Sequence, residues 1–256
     1  DGRQDLAVAI FDGIVVAQNM DGRFEIRTVL PASESTTSLT AADYDCDGRL
    51  DLYLCAYSPD RTLEGEPQAI GPLGDRFVFH DAENGTPNTL YHNEIAAGSE
   101  WRFADVTRAT GLGEHNTRWS FAATWDDFDN DGDQDLYVAN DYGRNCLYQN
   151  ESTAEGGVRF RNLAASAGAE DSASGMSAAW GDYDRDGWMD LYVANMFSAA
   201  GSRVTRQARF KPGIAAGLRR KFQHFARGNT LLRNLGRSAE PGFQDTSEPS
   251  GVTIGR

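Results

Sequence analysis

Short runs of apolar and aromatic residues recur along the chain, and each run directly follows a cluster of aspartates. Residues 127–140 read DFDNDGDQDLYVAN, and the similar stretches DYDCDGRLDLYLCA and DYDRDGWMDLYVAN begin at Asp43 and Asp182. The chain opens on a shortened copy, DGRQDLAVAI. A short apolar run bounded by turn residues is typical of a β-strand. The pattern therefore predicts one loop-and-strand unit that is repeated four times, the first time incompletely.

Further short motifs recur behind each complete loop. The stretches NTLYHN, NCLYQN and NTLLRN begin at Asn88, Asn145 and Asn229, and each is followed by a segment that contains phenylalanine. FAATWDD and MSAAWGD precede two of the loops. Each unit thus contains several short strands joined by turns, and long helical periodicity is nearly absent. The predicted fold class is all-β, built from repeated antiparallel sheets.

The repeat units are unequal in length, which indicates insertions. We expect a single domain over residues 1–256, with approximate units 1–36, 37–112, 113–170 and 171–256 and with insertions at 58–87 and 197–227. The first insertion is a long, proline-rich loop, which either binds a partner or covers a sheet edge.

The aspartates occupy loop positions 1, 3, 5 and 9, and such close like charges repel one another unless a cation lies between them. Ligand sets made only of oxygen favour a hard cation, Ca²⁺ before Mg²⁺. Glycine occupies position 6 of every copy, where a sharp turn is needed, and the varied position 7 is expected to offer its backbone carbonyl. The expected ligands are Asp43, Asp45, Asp47, Arg49 and Asp51; Asp127, Asp129, Asp131, Asp133 and Asp135; Asp182, Asp184, Asp186, Trp188 and Asp190; and, in a partial fourth site, Asp1 and Asp5.

Two other interpretations of these loops were weighed. An EF-hand requires a bidentate glutamate at position 12, but Leu54, Val138 and Val193 stand there. Solvated acidic turns are common in proteins, yet three full copies with identical spacing favour ligation. The sequence therefore predicts three Ca²⁺ sites and possibly a fourth, partial one.

DFDNDGDQDLYVAN followed by NCLYQN resembles the FG-GAP or VCBS repeat of integrin-α-like β-propellers, in particular the branch that includes ASPIC/UnbV and cartilage-acidic-protein-like proteins. The resemblance covers nearly the whole chain. It implies one four-stranded blade per repeat and a loop that holds calcium. It also implies about four blades here, as part of a larger propeller that further sequence or another chain completes.

Composition limits the classes of partner and the location. The formal net charge of −14 argues against nucleic acid as a partner. No apolar run reaches the length of a membrane span. Because weak extracellular calcium modules need ~0.1 to 1 mM ion, we expect a secreted, extracellular or periplasmic protein.

The second insertion differs in charge from the rest of the chain. Residues 197–227 contain no acid and eight basic residues: Arg203, Arg206, Arg209, Lys211, Arg219, Arg220, Lys221 and Arg227. The spacing of Ile214, Leu218, Phe222 and Phe225 predicts a helix that begins near Pro212. This segment is either a docked helix with solvated charges or, over 203–227, a docking site for an acidic protein surface or an anionic glycan.

Catalytic signals are weak. No histidine pair has metal-ligand spacing, and no nucleophile or phosphate-loop motif occurs. Cys55 is expected to be a packed thiol, and a disulfide between Cys46 and Cys146 is left open. We expect a protein or glycan interaction module rather than an enzyme, and the alternative is a polysaccharide lyase-like enzyme on a calcium-stabilised propeller.

Overall fold

Four antiparallel sheets, in which strands that follow one another in the chain also pair, form the framework of the computed structural model. The structure describes residues 2–57, 82–96, 98–153, 157–240 and 242–253. The strands in these residues are β1 (Leu6–Ile10), β2 (Gly13–Met20) and β3 (Arg23–Pro31) in sheet 1; β4 (Thr36–Ala42), β5 (Asp51–Ala56), β6 (Thr89–Asn93) and β7 (Phe103–Asp105) in sheet 2; β8 (Trp119–Asp126), β9 (Asp135–Asp141), β10 (Cys146–Asn150) and β11 (Phe160–Asn162) in sheet 3; and β12 (Gly175–Gly181), β13 (Asp190–Asn195), β14 (Thr230–Asn234) and β15 (Phe243–Asp245) in sheet 4.

The sheets confirm the predicted all-β class and an architecture of about four propeller blades. Sheets 2 to 4 have four strands each, whereas sheet 1 has three in the described residues. Its strand β1 carries the DLAVAI motif and therefore corresponds to the second strand of the other sheets. Each first strand of sheets 2 to 4 has a shift of register near its start, so the irregularity is part of the repeat.

Successive sheets pack face to face, and three apolar cores separate them. One core joins sheets 1 and 2, the next joins sheets 2 and 3, and the last joins sheets 3 and 4. All residues of β5 and β9 are buried. A strand covered on both faces needs apolar residues at consecutive positions rather than at alternate ones, which explains the DLYLCA and DLYVAN runs.

An aromatic residue at loop position 2 links each loop to the sheet that follows. Tyr44 stacks on Trp125 with ring centroids 6.5 Å apart, and Phe128 stacks on Trp180 at 6.2 Å. Each tryptophan stands near the end of the first strand of the next sheet. Tyr183, the equivalent residue of sheet 4, is 47% exposed. The outer face of this last loop therefore lacks such a neighbour within the described residues.

The basic insertion contains two helices, α2 (Ala199–Thr205) and α3 (Ala216–Ala226), which follow the single-turn α1 (Ala164–Ala167) of sheet 3. The Ser198 hydroxyl caps α2 by accepting the Gly201 N–H. The prediction that the longer helix begins near Pro212 is wrong by one turn. Lys211 and Gly213 have φ values of 41° and 83°, which belong to a turn and prevent a helix from beginning there.

The remaining sequence expectations on the scaffold have mixed outcomes. Cys55 is a buried thiol, as expected, and Cys46 and Cys146 are also free, so the possible disulfide does not form. Residues 58–81 of the first insertion, and Asp1, lie outside the described residues. None of the helices in the described part of the chain has the length and apolar content that a membrane crossing requires.

Candidate metal site in the aspartate loops

The aspartate at loop position 1 organises the backbone of its own loop. The Asp127 carboxylate accepts the N–H groups of Asp131 and Gly132, both at 2.9 Å. Asp43 and Asp182 accept the equivalent pairs of N–H groups in the other two loops. These hydrogen bonds shape the turn through contacts within the loop itself.

Two positions of the loop have left-handed backbone conformation. The glycine at position 6 has φ between 85° and 98° in all three complete loops. Position 4 also has positive φ, although Cys46, Asn130 and Arg185 stand there. Glycine adopts this conformation readily and other residues adopt it at a cost. The repeated strained position indicates that the loop shape is imposed by the hydrogen bonds around it.

The aspartate at position 9 is buried and joins two strands. The Asp135 carboxylate accepts the Phe128 N–H at 3.2 Å and the Asn150 N–H at 2.8 Å. Asp190 accepts the equivalent pair from Tyr183 and Asn234. Burial, together with the neighbouring Asp129 and Asp133, raises the pKa of Asp135 to about 8 against the lowering effect of these hydrogen bonds. This acid therefore holds the sheet together whether or not it also binds an ion.

The structure brings together most, but not all, of the expected ligands. The potential ligand atoms of three side chains lie within 4.8 Å of one another in each of these groups: Asp43, Asp45 and Asp47; Asp127, Asp129 and Asp135; Asp182, Asp184 and Asp190; and Asp45, Asp51 and His92. Asp131 and Asp186, at position 5, belong to none of them. Such clusters can bind a metal, and positions 1, 3 and 9 dominate them.

Position 7 and the partial site have different surroundings. Asp133 has a buried Oδ1 atom without a hydrogen-bond partner. Burial raises the pKa of Asp133 to about 7, and repulsion from Asp131 adds to the effect. Asp5 is exposed and accepts the Asn19 N–H at 2.9 Å, and it belongs to no cluster among the described residues.

Basic and polar side chains that sequence reasoning missed contact the acid at position 3. Arg233 lies 2.5 Å from Asp184, and Gln149 donates to Asp129 at 2.5 Å. His92 stands at the same place in its repeat motif and lies 3.5 Å from Asp45. These side chains occupy the penultimate position of NTLYHN, NCLYQN and NTLLRN. The sequence shows that the position is polar, but only the pairing of the strands shows that its side chain contacts the loop acids.

Arg237 crosses from sheet 4 to the loop of sheet 3. Its guanidinium lies 3.1 Å from Asp129 and 3.2 Å from Asp131. Both acids line a cleft of about 670 Å³ between these sheets, together with Trp188 and Phe243. The loop of sheet 3 is thus a contact between sheets as well as a candidate ion site.

Comparison with known proteins agrees with this arrangement. The model of a family described as FG-GAP-like repeat matches residues 1–54 and 127–193, which include all or part of the loops of sheets 1 to 4. A search of the curated proteins found no match. Neither comparison supports a particular branch of the family. The chain thus contains FG-GAP-like repeats, and its repeated loops and stacked antiparallel sheets fit a β-propeller fold.

Proposed function

We propose that this protein is a calcium-binding β-propeller that serves as an interaction module outside the cytosol. The observation that carries the proposal is the convergence of carboxylates from positions 1, 3 and 9 in the loops of sheets 3 and 4, and from positions 1, 3 and 5 in the loop of sheet 2, with potential ligand atoms within 4.8 Å. The ions would be held by the acids already named, with the backbone carbonyls of Arg49, Asp133 and Trp188 as further ligands. Calcium would supply charge neutralisation and rigidity at the edge of the sheets.

Electrostatics of the bare loops supports a bound cation. Burial and the neighbouring acids raise the pKa values of Asp133 and Asp135 to about 7 and about 8, so negative charge accumulates there at a cost. A dication reverses this effect because an opposite charge favours the ionised carboxylate. The buried, unpartnered Oδ1 atom of Asp133 also fits a ligand role. All these donors are oxygens, which favours a hard ion.

The proposal is tested by thermal unfolding of the chain with calcium, with chelator, and with magnesium at equal concentration. At about 100 times its dissociation constant an ion stabilises a site by about 2.7 kcal/mol, so three sites are comparable with the ~5 to 15 kcal/mol stability of a domain. We expect a large fall of the midpoint on chelation and only partial rescue by magnesium. An unchanged midpoint, or fewer than two calcium ions per chain, would contradict the proposal.

A matched pair of variants locates the effect. Asp129→Asn keeps the size of the side chain. In the described structure the native Asp129 carboxylate accepts no backbone N–H and bonds only to Gln149 and Arg237. We expect it to lower calcium stoichiometry by one ion per chain. Asp12→Asn changes an exposed acid outside the loops and should leave the stoichiometry unchanged. Asp141 is unsuitable as a control because it is buried and accepts the Tyr57 hydroxyl at 2.6 Å.

The basic insertion, residues 203–227, is the proposed contact for an anionic glycan or an acidic protein surface. Arg219 is engaged internally, since its guanidinium donates to the carbonyl oxygens of Thr205, Gln207 and Phe210. Six other basic residues are exposed: Arg203, Arg206, Arg209, Lys211, Arg220 and Lys221. They form a cationic surface on an otherwise acidic protein, and such a surface attracts anionic partners.

The outer faces of sheets 1 and 4 are the proposed contact for a further sheet, from this protein or from another chain. Leu6, Val8 and Ile10 of β1 are each at least 40% exposed, and Tyr183 lacks the stacking partner that its equivalents have. Light scattering of the purified chain tests this contact. The contact would be contradicted by a monomeric chain in which iodide does not quench the fluorescence of exposed aromatic residues such as Tyr183.

A further inference from the structure

The loop of sheet 2 has a nitrogen donor that the other loops lack. His92 Nδ1 lies 3.2 Å from Asp51 Oδ1 and 3.5 Å from Asp45 Oδ2. Donor atoms bound at about 2.1 Å to one tetrahedral ion lie roughly 3.4 Å apart, so both distances from His92 Nδ1 are close to the separation that a shared ion imposes, and the ligand atoms of all three residues lie within 4.8 Å of one another. Their side chains come from the loop, from the start of β5 and from the end of β6.

Two buried atoms of this cluster have no hydrogen-bond partner. His92 Nδ1 is one, and Asp51 Oδ2 is the other, on a side chain that is only 1% exposed. In the other two complete loops the N–H of loop position 2 donates to the equivalent Oδ2 atom. The Tyr44 N–H lies close enough to Asp51 to lower the pKa of its carboxyl group, but it makes no hydrogen bond of normal geometry to Oδ2. A buried carboxylate oxygen without a partner is costly, and a metal ion would satisfy it.

Equivalent positions explain why only this loop has such a site. The residue before the last asparagine of the strand motif faces the position-3 acid in each sheet: His92 in sheet 2, Gln149 in sheet 3 and Arg233 in sheet 4. A glutamine amide offers a weak oxygen ligand, and an arginine brings its own positive charge to the acids. An imidazole suits zinc and similar ions, which oxygen-only loops do not prefer. Tyr44 contacts the His92 ring edge-on at 6.1 Å and restricts its orientation.

We propose that Asp45, Asp51 and His92 form a zinc-type transition-metal site, which distinguishes the loop of sheet 2 from the calcium loops of sheets 3 and 4. Asp45 and His92 side chains are about one-fifth exposed, so an ion can enter and a water molecule can complete the coordination. The inference rests on the proposed function, in which the loops are ion sites, and deepens it by naming the ion of the loop of sheet 2.

The test is calorimetric titration of the metal-stripped 256-residue chain with Zn²⁺, alone and in saturating Ca²⁺. We expect one zinc ion per chain that calcium does not displace. His92→Gln introduces the residue that sheet 3 has naturally, and it should lower zinc affinity at least about 100-fold, since even residues that only support a ligand contribute about 10- to 100-fold. Calcium stoichiometry at the other loops should be unchanged, which also reports that the variant is folded.

The reciprocal variant, Gln149→His, keeps all the native acids and should add a second zinc ion beside Asp129 and Asp135. Equal zinc affinity of the wild type and His92→Gln, no zinc binding by the wild type, or no added ion in Gln149→His would each overturn the inference. If zinc binding fails while calcium binding persists, only this inference falls. If no loop binds calcium but zinc binding depends on His92, the proposed function falls and the zinc site remains.

Discussion

Asn150, the last residue of β10, is the position where one substitution should weaken the contact between two neighbouring sheets. Its side-chain Nδ2 donates to the Tyr44 carbonyl in sheet 2 at 2.8 Å and to the Gln134 carbonyl at 3.3 Å. Its Oδ1 accepts from the backbone N–H of Ser152 at 3.2 Å and from the Ser152 hydroxyl. Asn150→Ala removes all four hydrogen bonds and leaves the strand pairing of β10 intact, because that pairing uses backbone atoms.

The cost follows from counting these bonds. A neutral intramolecular hydrogen bond contributes about 1 kcal/mol net, so Asn150→Ala should lower the free energy of unfolding by about 4 kcal/mol. Asn93→Ala is the matched control, because the Asn93 side chain makes two bonds inside its own sheet, to Leu50 and Ile95. Its expected cost is about 2 kcal/mol. The difference also contains the penalty for the stranded carbonyl of Tyr44, a residue that is buried.

Urea unfolding in saturating calcium, followed by tryptophan fluorescence, measures both costs. Trp125 packs in the core between sheets 2 and 3, so its emission reports the contact that Asn150 supports. Asn234 makes the same contact between sheets 3 and 4, with its Nδ2 atom 2.8 Å from the Phe128 carbonyl, and Asn234→Ala should resemble Asn150→Ala. If the losses in free energy of unfolding of all three variants agreed within about 0.5 kcal/mol, the reasoning would be refuted.

Three further predictions concern the basic insertion. Burial by itself would raise the pKa of Asp171, but the hydrogen bond with His224 and the electrostatic effect of that histidine lower the pKa below its usual value. The ionised Asp171 carboxylate therefore stabilises α3 above about pH 4, the unfolded value. Circular dichroism should show that this contribution is lost as pH falls through the folded pKa of Asp171. Asp171→Asn should remove that acid-dependent step. An acid titration of the variant identical to that of the wild type would exclude a stabilising role of the contact between Asp171 and His224. Replacing Arg220 and Lys221 by glutamine should weaken binding to heparin and reduce its salt dependence with calcium content unchanged, and unchanged affinity would assign the segment a structural role. Arg219→Gln should instead lower the melting temperature, since it removes the bonds to the turn after α2.

Sequence patterns predicted the scaffold because the repeat shows the same physical constraint several times. The apolar run after each loop predicts a strand, and β5 and β9 are such strands, with every residue buried. Glycine at position 6 predicts a turn with positive φ, which all three complete loops have. Each of these constraints acts within a few residues, so it can be deduced from local spacing.

Contacts between distant residues could not be deduced in the same way. Asp171 and His224 are separated by 53 positions, and Asp129 and Arg237 by 108. The sequence showed their charges but not their neighbours, because the packing of one sheet on the next decides which side chains meet. For the same reason Arg219, predicted as part of the binding surface, proved to be an internal hydrogen-bond donor.

Internal repetition separates the residues that build the propeller from those that distinguish its loops. The position-9 acid and the asparagine that ends the strand motif recur in every unit, as Asp5 and Asn19 do in sheet 1, because they join the second and third strands of each sheet. The residue before that asparagine changes from Gln18 to His92, Gln149 and Arg233. It lies beside the loop acids in sheets 2 to 4, where a new side chain alters the charge and the donor atoms without disturbing a strand. Under the proposed binding of ions by the loops, variation at this position would change which cation each loop prefers while the scaffold stays the same.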